Sequence, residues 1–323
     1  MDLPILITSL DFELFWGMQD SWKLEDYIDN VMGARVAIPR LLKMFHSHNI
    51  HTTWATVGFM FADSYDELKQ YFPDKSLLPS YDDEILLSYR CFDSIGDNEQ
   101  KAPCFYAPSI IKQISETEGQ EIGTHTFSHY YCNAPGQTVE QFKADMLAAS
   151  NIIHDKGYNA DSLVFPRNHS GVEYVKTLSK LGITSYRSLD DNWINRNMKI
   201  EFFERMFRLI DVYFPITGQG GYIPQKRYGV WDFTGSRMYK PYYKPLAFLE
   251  GLKIRRIKKQ MLHAAKNNLV FHLWWHPHNI GVKTDYHLKQ LEDIFNYYDE
   301  LKEKYGMKSM NMKEAAEYFS NES

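Results

Sequence analysis

"PILITSLDFELFWG" (residues 4–17) decides how this chain is read. Its first half is continuously apolar and β-branched, the pattern of a strand buried on both faces. It then runs into Asp11 and Glu13, two residues apart, so in an extended chain both carboxylates point to one side. Doubly buried strands belong to parallel sheets, which build active sites beyond the carboxyl ends of their strands. The stretch therefore predicts a parallel α/β fold with an acidic pair at its functional edge. The plainer alternative is that one of the two acids caps the segment that follows.

Working outward, Val31, Ala34, Ile38, Leu41, Leu42 and Phe45 recur at helical spacing and lead to "HTTWATVG" (51–58), a second strand. "EIGTH" (121–125) is a candidate third strand. "TVEQFKADMLAASNIIHDKG" (138–157) is helix, with Thr138 as cap, Gln141 three residues on and Gly157 as the stop. "SLVFP" (162–166) and "ITSYRS" (183–188) read as strands around the helix "GVEYVKTLSKLG" (171–182), and "FRLIDVYF" (207–214) is a further strand candidate. A helix over about 245–267, the strand "LVFHLWWHP" (269–277), a helix over roughly 286–304 and "KSMNMKEAAEYF" (308–319) as a short strand and an Asn-capped helix complete the chain. This repeated alternation gives a parallel sheet, closed as a barrel or open and doubly wound. Residues 61–118 are long for one connection and read as an insertion over the functional edge. No linker divides residues 1–323, which are expected to form one domain.

"EIGTHTFSH" (121–129) places His125 and His129 four apart. If a helical turn follows the strand, they share a face and can reach one ion. Two nitrogens, one carboxylate and an open position make a catalytic metal site, since structural zinc sites are closed by four protein ligands. On the last long strand, alternation puts His272, Trp274 and His276 on one face. His276, just before Pro277, should emerge at the strand's end as a general acid. His272, deeper in, reads as a satisfied core histidine, and His278 is open. "VFPRNHSG" (164–171) offers Arg167, and "YRSLDDNW" (186–193) offers Arg187, Asp190, Asp191 and Trp193; surface ion pairing is the alternative for both arginines.

Taken in order, these motifs resemble the polysaccharide deacetylase family, metal-dependent carbohydrate esterases with a NodB homology domain. "HTFSH" is similar to the family's histidine motif, and "LDFE" resembles its Asp-x-Glu variant. "FPRN" and "WWHPHN" resemble a subgroup associated with O-antigen and capsule biosynthesis. The resemblance implies a distorted (β/α)7 barrel, with the long insertion between strands two and three, and one divalent ion, zinc in most members. It makes His125 and His129 metal ligands, Glu13 the third ligand, Asp11 the catalytic base, His276 the general acid and Arg167 the arginine that orients the base. Asp11 and Glu13 could exchange roles. Asp190 or Asp191 matches the acid that tunes the histidine, and Trp193 and Trp274 would wall the sugar pocket. The implied reaction is hydrolysis of the amide of an N-acylated sugar, acetyl or formyl. A glycoside hydrolase on a related barrel competes, although carboxylates two apart on one strand do not flank a glycosidic bond easily. A non-catalytic sugar-binding relative is the third reading.

Composition narrows the partners. A net charge of −5 leaves no electrostatic footprint for nucleic acid. The basic run "LKIRRIKKQMLHAAKNN" (252–268) is a solvated helix face or a peripheral contact with anionic lipid or a phosphorylated carrier. Cys91, Cys104 and Cys132 lack CxxC spacing, and the amino-terminal run lacks the pattern of a signal peptide. These features predict a cytoplasmic protein, and with the subgroup resemblance they imply an enzyme whose sugar is carried on a nucleotide or a lipid.

Overall fold

The computed structural model describes residues 3–189, 192–194 and 201–322. Strand β1 (Ile5–Phe12) is buried along its whole length, as its apolar run requires. It pairs with three other strands. On one edge it pairs with β9 (Val270–Trp275); on the other it pairs with β10 (Lys308–Met310) through its first residues and with β2 (Thr52–Thr56) through its last. From β2 the ladder continues through β3 (Gln120–Thr124), β4 (Ser162–Val164), β5 (Ser185–Arg187) and β7 (Val230–Asp232) to β6 (Gln225–Arg227). Beyond β9 it ends at β8 (Arg237–Met238). All these pairings are parallel except the β6–β7 hairpin.

The fold is therefore mixed α/β on a parallel sheet, but the expected closed barrel is not what the ladder shows. Its order runs β6-β7-β5-β4-β3-β2-β1-β9-β8 without returning on itself. Strands β7 and β8 are consecutive in sequence; the first pairs with β5 and the second with β9. Among the described residues the two flanks are thus tethered by residues 233–236 and two isolated bridges, Leu189 to Gly235 and Tyr222 to Val270, rather than by a continuous ladder.

Helices cover the sheet: α1 (Leu24–His48), α2 (Tyr65–Leu68), α3 (Pro108–Ser115), α4 (Val139–Asp155), α5 (Val172–Leu178), α6 (Glu201–Tyr213), α7 (Glu250–Lys266), α8 (Thr284–Tyr305) and α9 (Met312–Asn321). All six periodic residues named for α1 are buried. The capping box of Thr138 and Gln141 forms at α4, and Asn311 with Glu314 forms another at α9. One expectation is reversed, because "FRLIDVYF" belongs to helix α6. Its β-branched and aromatic content imitates a strand over eight residues, but Phe202, Met206, Leu209 and Tyr213 repeat at helical spacing.

Residues 61–118 are mostly short helical turns that end in α3, which packs on β3. They are bolted to the loop after β1 by aromatics. Trp16 packs on Phe59, Phe92 and Phe105, and its Nε1 donates to the Phe105 carbonyl at 2.7 Å. That clamp holds the loop that begins at Glu13.

Candidate active site and metal centre

Parallel register brings the chemistry to one end of the sheet. Asp11 is opposite Ala55, Thr56 is opposite Thr124, Val164 is opposite Arg187, and Leu10 is opposite Trp275. The residues at or just after these positions are Asp11 and Glu13, His125, Arg187 and His276. Asp11 and Glu13 are both almost fully buried. The Glu13 carboxylate lies over Gly17, where an added Cβ would sit 2.4 Å from its Cδ.

The histidine motif converges, though not on a helical turn. Thr126 and His129 adopt left-handed backbone with φ of 66° and 59°, so the chain bends sharply after β3. Thr126 Oγ1 accepts the Tyr130 N–H at 2.7 Å. Asp145, buried on α4, accepts the Phe127 N–H at 2.7 Å and the Ser128 N–H at 3.2 Å. Nothing in the local motif pointed to Asp145, which sits sixteen positions beyond His129 on the helix that follows. Its effect is to hold the bend in a single shape.

His125 Nδ1 donates to the Val164 carbonyl at 2.7 Å, which aims Nε2 at Glu13. Glu13 Oε2 lies 3.3 Å from His125 Nε2 and 3.0 Å from His129 Nε2. One donor atom from each of the three falls within 4.8 Å of the others. Donors bound to one tetrahedral ion at 2.0–2.2 Å stand roughly 3.3–3.5 Å apart, close to the spacing here. His125 Nε2 is buried with no hydrogen-bond partner, as a nitrogen reserved for an ion would be. Burial, outweighing Glu13, lowers the His129 pKa and favours the neutral imidazole that ligates metals. Burial would raise the Glu13 carboxyl, but His276, His129 and His125 hold it well below the ordinary value. The residues fit a divalent cation.

Beside this triad stands a second group. Arg187, fully buried, donates from Nη2 to Asp11 Oδ2 at 2.6 Å, from Nη1 to Ser9 Oγ at 2.9 Å and from Nε to Asn168 Oδ1 at 2.8 Å. Its guanidinium lies over the Trp274 ring, 4.1 Å from the centroid. Against burial, which raises it, Arg187, His276 and His125 lower the Asp11 carboxyl and keep it ionised. Asp11 Oδ1 is buried with no hydrogen-bond partner. His276 Nε2 is 3.5 Å from Asp11 Oδ2 and 3.8 Å from Glu13 Oε1. The Asn279 side-chain amide lies 3.3 Å from His276 Nδ1 and leaves Nε2 facing the two carboxylates. His278 is buried and stacked on His276, 4.9 Å between centroids. His272 is satisfied in the core, its Nε2 2.7 Å from Ser9 Oγ and its Nδ1 3.1 Å from the Phe233 carbonyl.

Two expected residues stand elsewhere. The arginine on Asp11 is Arg187, not Arg167. Arg167 instead pairs with Asp20 and lies 4.5 Å over the Tyr131 ring at the cavity rim. The neighbour of Arg167, Asn168, is the residue of "FPRN" that reaches Arg187. Trp193 turns away from the cavity, its Nε1 donating to the Ile216 carbonyl at 2.9 Å and its ring edge-on to Phe207. Asp190 and Asp191 lie outside the described residues. Trp274 does line the cavity, which has a volume of about 360 Å³ and opens over Asp11, Glu13, His129 and His276.

Comparisons with known proteins bear on the fold and on the first half of the chain. Residues 28–186, just under half of the chain, match the family model for polysaccharide deacetylase. The matched segment is similar to a polysaccharide deacetylase domain. It contains His125 and His129 but ends before Arg187 and His276 and begins after Asp11 and Glu13. A candidate polysaccharide deacetylase from Mycobacterium smegmatis is similar in structure, with a TM-score of 0.63, 12% identity, and coverage of 99% of this chain and 94% of that one. PuuE allantoinase matches with a TM-score of 0.57 and 12% identity over 98% of this chain and 89% of its own. A 4-alpha-glucanotransferase from Thermococcus litoralis matches with a TM-score of 0.55 and 12% identity, over 99% of this chain but 40% of its own. At such identities the likeness is one of fold. No curated protein matches the sequence.

Proposed function

We propose that this protein is a metal-dependent deacylase that hydrolyses the amide of an N-acylated sugar. The observation that carries the reading is the Glu13–His125–His129 cluster, set in one cavity beside an arginine-held aspartate and a histidine. The deacetylase domain match supports carbohydrate deacetylase activity. Glu13, His125 and His129 would hold one divalent ion, with zinc the first choice for two nitrogens and an oxygen. Such an ion supplies Lewis acidity and an acidified water at neutral pH.

The chain's own residues divide the remaining work. Asp11 receives the proton of the attacking water at Oδ1, while Arg187 holds Oδ2 and keeps the carboxylate ionised. His276, as the imidazolium, delivers a proton from Nε2 to the departing amine, which leaves badly otherwise. Trp274, backed by Arg187, offers a flat wall to a sugar ring. The contact of Glu13 with both histidines supports Glu13 as ligand and Asp11 as base. Arg187 takes the orienting role that the sequence assigned to Arg167.

The same reading places the enzyme in the cytoplasm, acting on a nucleotide- or lipid-linked sugar during surface-polysaccharide (O-antigen or capsule) assembly. Among the described residues no helix is long and apolar enough to cross a membrane. Not all of the basic run stays available for a carrier or a lipid, because Lys253 pairs with Glu250 and Arg256 with Asp211 inside the protein. The test is metal analysis of untagged wild type and His129→Ala, followed by a screen of N-acetylated and N-formylated sugars for released amine. About one ion per chain, lost in the variant, with amine and no new reducing end, is expected. An absence of metal even after loading with zinc, cobalt or iron refutes the mechanism.

A further inference from the structure

Helix α6 exposes most of its apolar stripe. At 100° per residue, Phe202, Phe203, Met206, Leu209 and Ile210 fall on one arc of roughly 120°. All five are exposed, Phe202 by 72%. Of the remaining residues, Arg208, Asp211 and Val212 line the active-site cavity. Asp211 is tied inward by Arg237 and Arg256, each at 2.7 Å. A surface helix ordinarily turns its apolar stripe to its own core. Here only the last turn is held inward, Asp211 by its ion pairs and Val212 and Tyr213 by burial, and the stripe ahead of Tyr213 stays outside. The exposed Phe214 continues the same apolar surface past the end of the helix. Isolated exposed apolar residues need no explanation, but a contiguous patch marks a surface that something covers.

Charge says what covers it. Helix α7 packs against α6 and exposes Arg255, Lys259 and Lys266, and the turn before it exposes Lys244. That turn also presents Phe248, which is 79% exposed. In a chain of net charge −5, this concentration of cations next to an apolar helix face is local and distinctive. An apolar face bordered by basic side chains is the composition that settles at an anionic bilayer surface. A second copy of the chain, docked by two-fold symmetry, would oppose the same cations to one another.

We propose that α6 docks this protein on an anionic membrane, with its apolar arc at the boundary between headgroups and acyl chains and the basic residues of α7 on the headgroups. Because the inner side of α6 lines the cavity, docking brings the site to the bilayer surface, where a sugar on a lipid carrier is displayed. The inference deepens the lipid-linked branch of the proposed function, but its test reads binding alone.

The full chain is floated with phosphatidylcholine vesicles, with and without about one-third phosphatidylglycerol. Binding to the anionic vesicles only, weakened by salt, is expected. Phe202→Ser with Leu209→Ser should weaken it by at least about 10-fold, since each buried CH2 contributes about 0.8 kcal/mol to partition. Arg255→Glu with Lys259→Glu should weaken it as well. All these positions are exposed, and an unchanged circular dichroism spectrum checks that the variants fold. No binding by wild type, or equal binding by the serine variant, overturns the proposal. So does a dimer in sedimentation that the serine variant abolishes, which would give the face to a second copy. Vesicle binding without any deacylase turnover supports this proposal and counts against the enzymatic reading alone.

Discussion

Replacing Arg187 by Met should destabilise the protein through Asp11. The arginine is fully buried, and its three hydrogen bonds run to Asp11, Ser9 and Asn168 at 2.6, 2.9 and 2.8 Å. Breaking a buried ion pair from one side costs about 3–5 kcal/mol, because the other charge remains in a poor solvent. His276 Nε2, 3.5 Å from Asp11 Oδ2, partly replaces the lost cation, so the low end applies. We expect about 3 kcal/mol, a large share of a domain's ordinary stability of about 5–15 kcal/mol. Asp11→Asn, which strands Arg187 instead, should cost a similar amount. The double variant buries neither charge and should cost well under the sum, giving a coupling of about 2–3 kcal/mol. The assay is urea unfolding of chelator-treated protein, so that no metal ion contributes to any of the four species. Additivity within about 0.5 kcal/mol would mean that Arg187 does not act through Asp11, and the positioning argument would fail.

Gly17→Ala should expel the Glu13 carboxylate, since its Cβ would lie 2.4 Å from Cδ. Metal affinity should fall at least about 10-fold in a titration with the fold retained, and an unchanged affinity would remove Glu13 from the ligand set. His276→Gln should keep the metal and lose about 10²–10⁴ in turnover on the sugar identified by the screen; full turnover would exclude it as the acid. Asp145 gives a pH test. Burial raises its carboxyl to about 7, against the Ser128 and Phe127 donors that lower it, whereas the unfolded value is near 3.8. Between these values the native chain holds a proton that the unfolded chain has lost. Its contribution to stability is therefore full at about pH 4, falls as pH rises to about 7 and is flat above, by up to about 4 kcal/mol. Asp145→Asn retains the Phe127 bond and should flatten that window, and parallel slopes in thermal melts of the two proteins would contradict the assignment.

Much of this protein was legible in order along the chain. The apolar run of β1, the periodicity of α1, the caps of α4 and α9, and the alternation of β9 are local patterns, and the structure places each as read. Alternation put Asp11 and Glu13 on one side and separated His272 from His276 along a single face. Content misled where periodicity was cut short, as at α6, read as a strand from seven of its residues and the one beyond its end.

Pairing of distant residues was a different matter. Whether Arg167 or Arg187 meets Asp11 depends on strand order and register, since Arg167 follows β4 and Arg187 ends the neighbouring β5. A left-handed turn at residues 167 and 168 directs Arg167 to Asp20 and leaves Asn168 for Arg187. Asp145 reaches the histidine bend only because α4 packs back across it. The open ladder between β7 and β8 is likewise a property of how two flanks meet. By itself the sequence determined which residue types stand at strand ends and which faces are apolar, because those follow from covalent spacing and a period of 2.0 or 3.6. The tertiary structure alone decided which charges are buried together, because that energy depends on distance and solvent exclusion between segments far apart in the chain.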